Sequence, residues 1–203
     1  KRTVRGLIGL HLNKNIVQDY EAATKEEVLE AHDELFKHQD IQLFYSKGMM
    51  NLDVAINRIQ YMAKAMGCTH LFLDHLSLVI SSMTGKVTDE RRLIDDAMTR
   101  LRTMVQELGI TLFLVSHLTR PQGKGHEAGG KVELSQLRGS HAIAQLADQC
   151  LGLQIDAEDP TNDCRDLVVL KNRFTGQVGF AGRLKYQRDT GRLIDADSGN
   201  SRF

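Results

Sequence analysis

The sequence predicts an α/β fold, with a mainly parallel, twisted sheet flanked by helices and an antiparallel extension on its C-terminal side. Two apolar runs, LFLDH at 71 to 75 and LFLVSHL at 112 to 118, have the pattern of buried strands. Each follows an amphipathic helix across a short joint, as right-handed βαβ crossovers require. The extension is predicted by three further runs, at 150 to 155, 166 to 171 and 179 to 186, separated by the turn-forming EDPTND and RFTGQ.

In chain order, Val4, Leu7, Ile8 and His11 recur at helical spacing, which makes residues 2 to 11 an amphipathic helix. Thr24 and Glu27 form a capping-box pattern, followed by Val28, Leu29, His32, Leu35 and Phe36 on one predicted face. IQLFY at 41 to 45 predicts a short strand. Asn51 is placed to cap a helix whose core stripe is Leu52, Ala55, Ile56, Ile59, Met62, Ala63 and Met66, with Gly67 closing it. A strand is expected at 69 to 73. Thr88 is placed to cap a long helix with Leu93, Ile94, Ala97, Met98, Leu101, Met104, Val105 and Leu108 inward, ending at Gly109, and a strand follows at 110 to 115. Residues 119 to 133, TRPQGKGHEAGGKVE, predict a mobile loop. HAIAQLAD at 141 to 148 is helix-like.

A chain of 203 residues with 41% hydrophobic content suffices for one domain with a sizeable core. Lys plus Arg and Asp plus Glu number 26 each, so no global field draws the protein to nucleic acid or anionic lipid, and any polyanion site must be local. Cys68, Cys150 and Cys164 are odd in number and lack CxxC spacing, which suits a reducing, cytoplasmic setting better than a disulfide framework. No apolar stretch approaches the roughly 18 to 20 residues of a membrane span, and the opening KRTVRGLIGLHLNKN lacks a signal-peptide pattern. Because the first residue is Lys, the chain is expected to begin inside a longer protein.

Ligands of open α/β sheets bind beyond the carboxyl ends of parallel strands, which singles out Asp74, His75, Ser116 and His117. A carboxylate at the position of Asp74 can hold Mg²⁺, or it can simply cap a turn. The imidazole of His117, at the end of the next strand, can hydrogen-bond a terminal phosphate or serve the structure. Lys171 and Arg173, at i and i+2 near the end of VVLKNRFTG, point the same way and can reach one anionic group; the alternative is an exposed basic edge that blocks aggregation. Arg120, Lys124 and Lys131, interleaved with glycines, make a cationic segment able to follow a sugar-phosphate backbone, or a solvated loop. LRGS at 137 to 140 opens the helix-like segment, so backbone N–H groups near Gly139 and Ser140 can meet a phosphate.

These residues together resemble hexameric replicative helicases with a RecA-like core, especially the primase-helicases of short-tailed phages and the mitochondrial helicase Twinkle. The resemblance runs through LIGLH, LFLDHLSLV, DERRLIDDAMTRLR, SHL, LRGS, QLAD, LKNRFTG and KYQRDTGRL in order, over almost the whole chain. It implies a RecA-like P-loop NTPase domain over residues 1–196, with the Walker A strand and loop and the catalytic glutamate upstream and absent here, and a C-terminal tail at 197–203. It implies an enzyme that couples hydrolysis of ATP or dTTP, with Mg²⁺, to translocation on single-stranded DNA as a homo-hexamer or heptamer, in the host cytoplasm if phage-encoded.

Residue by residue, the resemblance makes Asp74 the Walker B metal carboxylate and His117 the γ-phosphate sensor. Arg173 becomes the arginine finger acting on the neighbouring subunit, Lys171 a second trans cation and Tyr186 the aromatic that packs on the base. Arg120, Lys124, Lys131, Arg138, Gly139 and Ser140 become the grip on single-stranded DNA. The tail, ending at Phe203, resembles phage tails that dock on the replicative polymerase, without their acidic run. His141 stands where the phage pattern has Gly, and Ile155 where Arg is expected near the base. A Walker A strand would lie beside the strand carrying His117, so a chain without it is expected to leave an apolar face uncovered and to be poorly stable or self-associating. Two alternatives are a recombinase-type RecA-like ATPase and a nonenzymatic RecA-like interaction module lacking the phosphate loop.

Overall fold

The computed structural model describes residues 2–37, 41–45, 50–81, 90–119, 125–126, 129–137, 141–155, 159, 161 and 163–196. Helices α1 (Arg2–Leu12) and α2 (Lys25–Phe36) pack around Ile8, Ile16 and Ala31, flanked by Val4, Leu12, Val28 and Leu35. The expected capping box is present: Thr24 Oγ1 accepts from the Glu27 amide at 3.2 Å, and Glu27 Oε2 accepts from the Thr24 amide at 2.8 Å. Lys14 Nζ donates to the same carboxylate at 2.7 Å, which holds the Glu27 carboxyl below its usual range. The buried face of α2 differs from the predicted one. Val28, Ala31 and Leu35 form the i, i+3, i+7 row against α1, and Leu29 is 55% exposed.

The main core lies under the parallel strands. Helix α3 (Leu52–Lys64) starts at Asn51, whose Oδ1 accepts from the Val54 amide at 2.8 Å. Gly67, with φ +69°, ends its C-terminal turn in the left-handed region that favours glycine. Leu52, Ala55, Ile56 and Ile59 of α3 meet Leu93, Ile94, Ala97, Met98, Leu101 and Met104 of α5 (Glu90–Leu108). Leu71 of β1 (His70–Leu73), Leu76, Val79 and Ile80 of α4 (Leu76–Ser81) and Ile143 of α6 (His141–Leu146) complete that core. Met66, predicted inward, is 40% exposed because α3 has already ended. Thr88, the predicted cap of α5, lies outside the described residues.

Strand β1 pairs in parallel with β2 (Thr111–Leu114), Leu71 opposite Leu112 and Leu73 opposite Leu114, through a crossover that contains α4 and α5. One face of this pair enters the core. On the other, Phe72 and Phe113 stack at 4.5 Å between ring centroids, with Phe72 75% exposed. Strands β3 (Gln149–Ile155), β4 (Cys164–Asn172), β5 (Gly179–Gln187) and β6 (Arg192–Asp195) form a four-stranded antiparallel sheet in chain order. Among the described residues the strands thus form two sheets, a parallel pair and a four-stranded antiparallel sheet, rather than one mainly parallel sheet with an antiparallel extension, because β1 and β2 are joined by a crossover while β3 to β6 follow one another across short connections.

The expected strand at 41–45 is irregular chain, since no partner strand among the described residues offers hydrogen bonds to its alternating pattern. Phe44 instead lies under the Arg58 guanidinium, 4.1 Å from its carbon to the ring centroid. Nor is the end of the 119–133 segment the mobile loop expected from its glycines. Val132 is 6% exposed, its amide donates to Gln154 Oε1 at 3.1 Å, and its Cγ1 lies 2.9 Å from where a Cβ on Gly152 would stand. Helix α4 and strand β6 have no counterpart in the sequence pattern, both being too short to show a period.

The connection between α1 and α2 is tied to the far end of the antiparallel sheet by Asn15, which is 8% exposed. Its Nδ2 donates to the Tyr186 hydroxyl at 3.1 Å and the Arg188 carbonyl at 2.6 Å, and its amide donates to the Asp189 carbonyl at 2.7 Å. Cys68, Cys150 and Cys164 are all free, and burial pushes the Cys150 thiol up. Among the described residues no helix is long and apolar enough to cross a membrane.

Between β3 and β4, the Asp159 carboxylate accepts from the Thr161 hydroxyl at 2.7 Å and the amides of Thr161, Asp163 and Cys164 at 2.9, 2.7 and 2.7 Å. These bonds, the Thr161 hydroxyl foremost, hold its carboxyl far below the ordinary range. A carboxyl depressed on folding contributes stability that is present above its unfolded pKa and fades as pH falls toward its folded one. Urea melts of wild type and Asp159→Ala are expected to differ most near neutral pH and to converge as pH drops below the ordinary carboxylate range. A difference unchanged by acid would exclude this role. In the same assay at neutral pH, Leu52→Ala is expected to cost about 2 to 5 kcal/mol by opening a core cavity, against about 1 kcal/mol for the exposed cap change Thr24→Ala.

Candidate functional site

The parallel pair continues past its last ladder residues. Val115 donates its N–H to the Leu73 carbonyl at 3.0 Å, and Leu76 donates to the Val115 carbonyl at 3.0 Å, so both strand ends leave the sheet side by side. Asp74 emerges there, exposed and without a hydrogen-bond partner among the described residues, and the Asp74–His75 peptide is cis. Residues 113, 115 and 117 are exposed in alternation, which carries His117 out on the uncovered side. Its ring meets that of His75 edge to face, 4.3 Å between centroids, and His75 Nδ1 lies 3.1 Å from Ser77 Oγ. Asp74, His75 and His117 thus share one rim, as the strand pattern predicts. Ser116 is half-buried beside it, its hydroxyl 3.5 Å from the His117 carbonyl.

The rim can be tested as a metal site by its donors. Among the described residues no group of three or more His, Cys, Asp and Glu side chains could hold a metal ion. A single exposed carboxylate nevertheless fits Mg²⁺, which keeps several waters and takes one or two carboxylates plus substrate phosphates. The imidazoles of His75 and His117 are not donors that Mg²⁺ prefers.

Lys171 and Arg173 form a second group at the end of α6. As expected from their i, i+2 spacing, they converge on one negative feature, here within the chain. Lys171 Nζ donates to the carbonyls of Ala144, Gln145 and Ala147 at 2.6, 3.0 and 2.9 Å. Arg173 donates from Nη2 to the Gln145 carbonyl at 2.6 Å and from Nη1 to Asp148 Oδ1 at 3.1 Å. Carbonyls at a helix C-terminus have no partners of their own and carry partial negative charge, so two cations there are favourable. Lys171 is accordingly half-buried and engaged rather than a bare basic edge. No hydrogen bond or ion pair among the described residues joins this group to the strand-end rim.

Tyr186 lies on β5 opposite Leu193, half-buried, its hydroxyl accepting from Asn15 and its amide donating to the Asp163 carbonyl at 2.9 Å. Of the predicted strand-binding residues, Lys131 is exposed, and Arg120, Lys124, Arg138, Gly139 and Ser140 lie outside the described residues. The base of their segment is pinched: Thr119 donates to the Gln136 carbonyl at 2.8 Å, and Leu118 bridges Leu137. The tail at 197–203 is also outside the described residues. Three polar residues escape the sequence reading: Asp148, Arg102, which donates to Asp148 Oδ2, and Asn15. The signal for Asp148 is a lone acid between a short apolar helix and an apolar strand, which is unremarkable until β4 brings two cations onto it.

Residues 11–195 match the profile of the DnaB-like helicase C terminal domain. The DNA helicase/primase of Enterobacteria phage T3 is 34% identical over 196 residues, which is 94% of this chain and 34% of that protein, so the chain spans about a third of its length. In fold, a solved structure described as an ATPase domain superposes with a TM-score of 0.73 at 21% identity, covering 95% of this chain and 69% of that one. A DnaB-like replicative helicase, described with its interactions with primase, gives 0.72 at 21% identity over 96% of this chain and 47% of that one.

Proposed function

The chain belongs to the DnaB-like helicase C-terminal domain family, and from that premise we propose that it is part of a replicative DNA helicase coupling nucleoside triphosphate hydrolysis at subunit interfaces to translocation on single-stranded DNA and duplex unwinding. The observation that carries this reading is the common rim of Asp74 and His117 at adjacent parallel strand ends, while Lys171 and Arg173 are engaged at the end of α6 and, among the described residues, make no hydrogen bond or ion pair to that rim. Cations that are not engaged with the rim of their own chain are what a site shared between neighbouring subunits of a homo-hexamer or heptamer requires.

In this reading ATP or dTTP lies against the rim. Mg²⁺, when bound with the nucleotide, supplies charge neutralisation at the phosphates, and Asp74 is the residue that would hold it. His117 hydrogen-bonds the terminal phosphate and transmits its presence along the chain into residues 119–133. Arg173 reaches the nucleotide of the adjacent subunit and stabilises charge in the transition state, with Lys171 beside it as a point charge. Tyr186 offers a ring to the base. Lys131, with Arg120, Lys124, Arg138, Gly139 and Ser140, follows the phosphates of the DNA strand, and residues 197–203 are the segment that would dock on a replicative polymerase.

In the full-length protein, Arg173→Ala is expected to lower hydrolysis by roughly 10³- to 10⁵-fold while nucleotide still binds; near-normal turnover in a steady-state NTPase assay would remove the assignment. Replacing Lys124 and Lys131 together by Ala should weaken single-stranded DNA binding and flatten the log-log salt dependence by about 1.4, two phosphate contacts at about 0.7 each. A slope equal to that of the wild type would place the grip elsewhere.

A further inference from the structure

We propose that Asp148 is a positioning residue for the trans-acting cations, fixing the guanidinium of Arg173 and tying it, with Lys171, to the end of α6. The proposal rests on the reading of Arg173 as the residue that acts on the adjacent subunit's nucleotide.

The geometry is a carboxylate divided between two guanidinium groups. Asp148 Oδ1 accepts from Arg173 Nη1 at 3.1 Å, and Oδ2 accepts from Nη1 of Arg102, which projects from α5. The backbones are joined as well, the Arg173 amide donating to the Asp148 carbonyl at 2.8 Å. Side-chain exposure falls from 44% at Arg173 to 32% at Asp148 and 25% at Arg102, so the pair is anchored on its inner side and half-open on its outer one. A bond to Asp148 from one terminal nitrogen and to the Gln145 carbonyl from the other leaves the arginine little freedom about its own axis. A planar fork held in this way is pre-organised for an oxyanion, and a freely rotating one is not.

Charge supports the same conclusion. Lys171, Arg173 and Arg102 place three cations around one short helix end, and Asp148 is the carboxylate that both arginines share. Without it, among the described residues, the helix carbonyls would be left to oppose their mutual repulsion. The six-residue α6 begins directly after LRGS, the run read above as strand-binding.

The experiment uses rings of the full-length protein and measures NTP hydrolysis without DNA. Asp148→Asn is expected to lower kcat roughly 10- to 100-fold, the scale of a small misplacement of a reacting group, with KM within about twofold of wild type. Asp148→Glu, which keeps the charge and shifts it by one methylene, should lie between, and it carries the test if Asp148→Asn rings do not assemble. A wild-type kcat in Asp148→Glu and Asp148→Asn, or a raised kcat that would mark Asp148 as a competitor for Arg173, overturns the proposal.

Mixed rings separate the proposal from its premise. Asp74→Asn subunits mixed with Arg173→Ala subunits should regain hydrolysis at interfaces that join an intact rim to an intact arginine. Asp74→Asn mixed with Asp148→Asn should regain it too, because the defect of Asp148→Asn is exerted on the neighbour. Failure of the first mixture overturns the trans reading itself. Success of the first with failure of the second overturns the positioning role alone.

Discussion

Strands β1 and β2 run parallel in register, and a parallel pair can be joined only by a long crossover, here filled by α4 and α5. That constraint orders the rest of the helical layer. It presses Leu93, Ala97 and Leu101 of α5 against α3 and the inner face of the strands. It also brings both strands to the same end of the sheet, so Asp74 and His117 share a rim although they lie on different strands. An antiparallel pair would have sent them to opposite ends.

A second joint, at the C-terminus of α6, connects this layer to the antiparallel sheet. Helix C-terminal carbonyls, one carboxylate and three cations meet there, drawn from α5 and from the ends of α6 and β4. Such charge-assisted bonds are individually modest where they are partly exposed. Their significance lies in geometry: they fix the direction of two cations relative to a helix that follows the run read as strand-binding. Asn15 makes a corresponding tie at the other edge, with its side chain satisfied by Tyr186 and a backbone carbonyl. The candidate base-packing ring is thereby coupled to the connection between α1 and α2.

The even charge balance of the chain also becomes intelligible. With equal numbers of acids and bases, cations act through placement rather than excess. Lys171 and Arg173 are gathered at one helix end, and Lys131 stands exposed near the pinched base of its segment. The stacked pair Phe72 and Phe113 lies on the outward face of β1 and β2, uncovered among the described residues. Large exposed aromatics of this kind belong to surfaces that other segments or molecules cover.

Much of this was legible from residues alone. Periodicity located the long helices and five strands, Thr24 and Asn51 revealed their caps, and Gly67 and Gly109 their ends, because these are local preferences of the chain. The rim of Asp74 and His117 was legible too, since a polar residue after an apolar strand needs no distant partner to be noticed. What local pattern could not decide was pairing. Residues 41–45 alternate like a strand yet find no neighbour, the face of α2 is set by where α1 crosses it, and the antiparallel strands outnumber the parallel ones. The order and family motifs of the site residues were determined by the chain's own residues. Tertiary structure alone decided that Arg173 and Lys171 rest on α6 and that Asp148, Arg102 and Asn15 matter, because hydrogen bonds between residues far apart in the chain exist only once packing has brought their partners within reach.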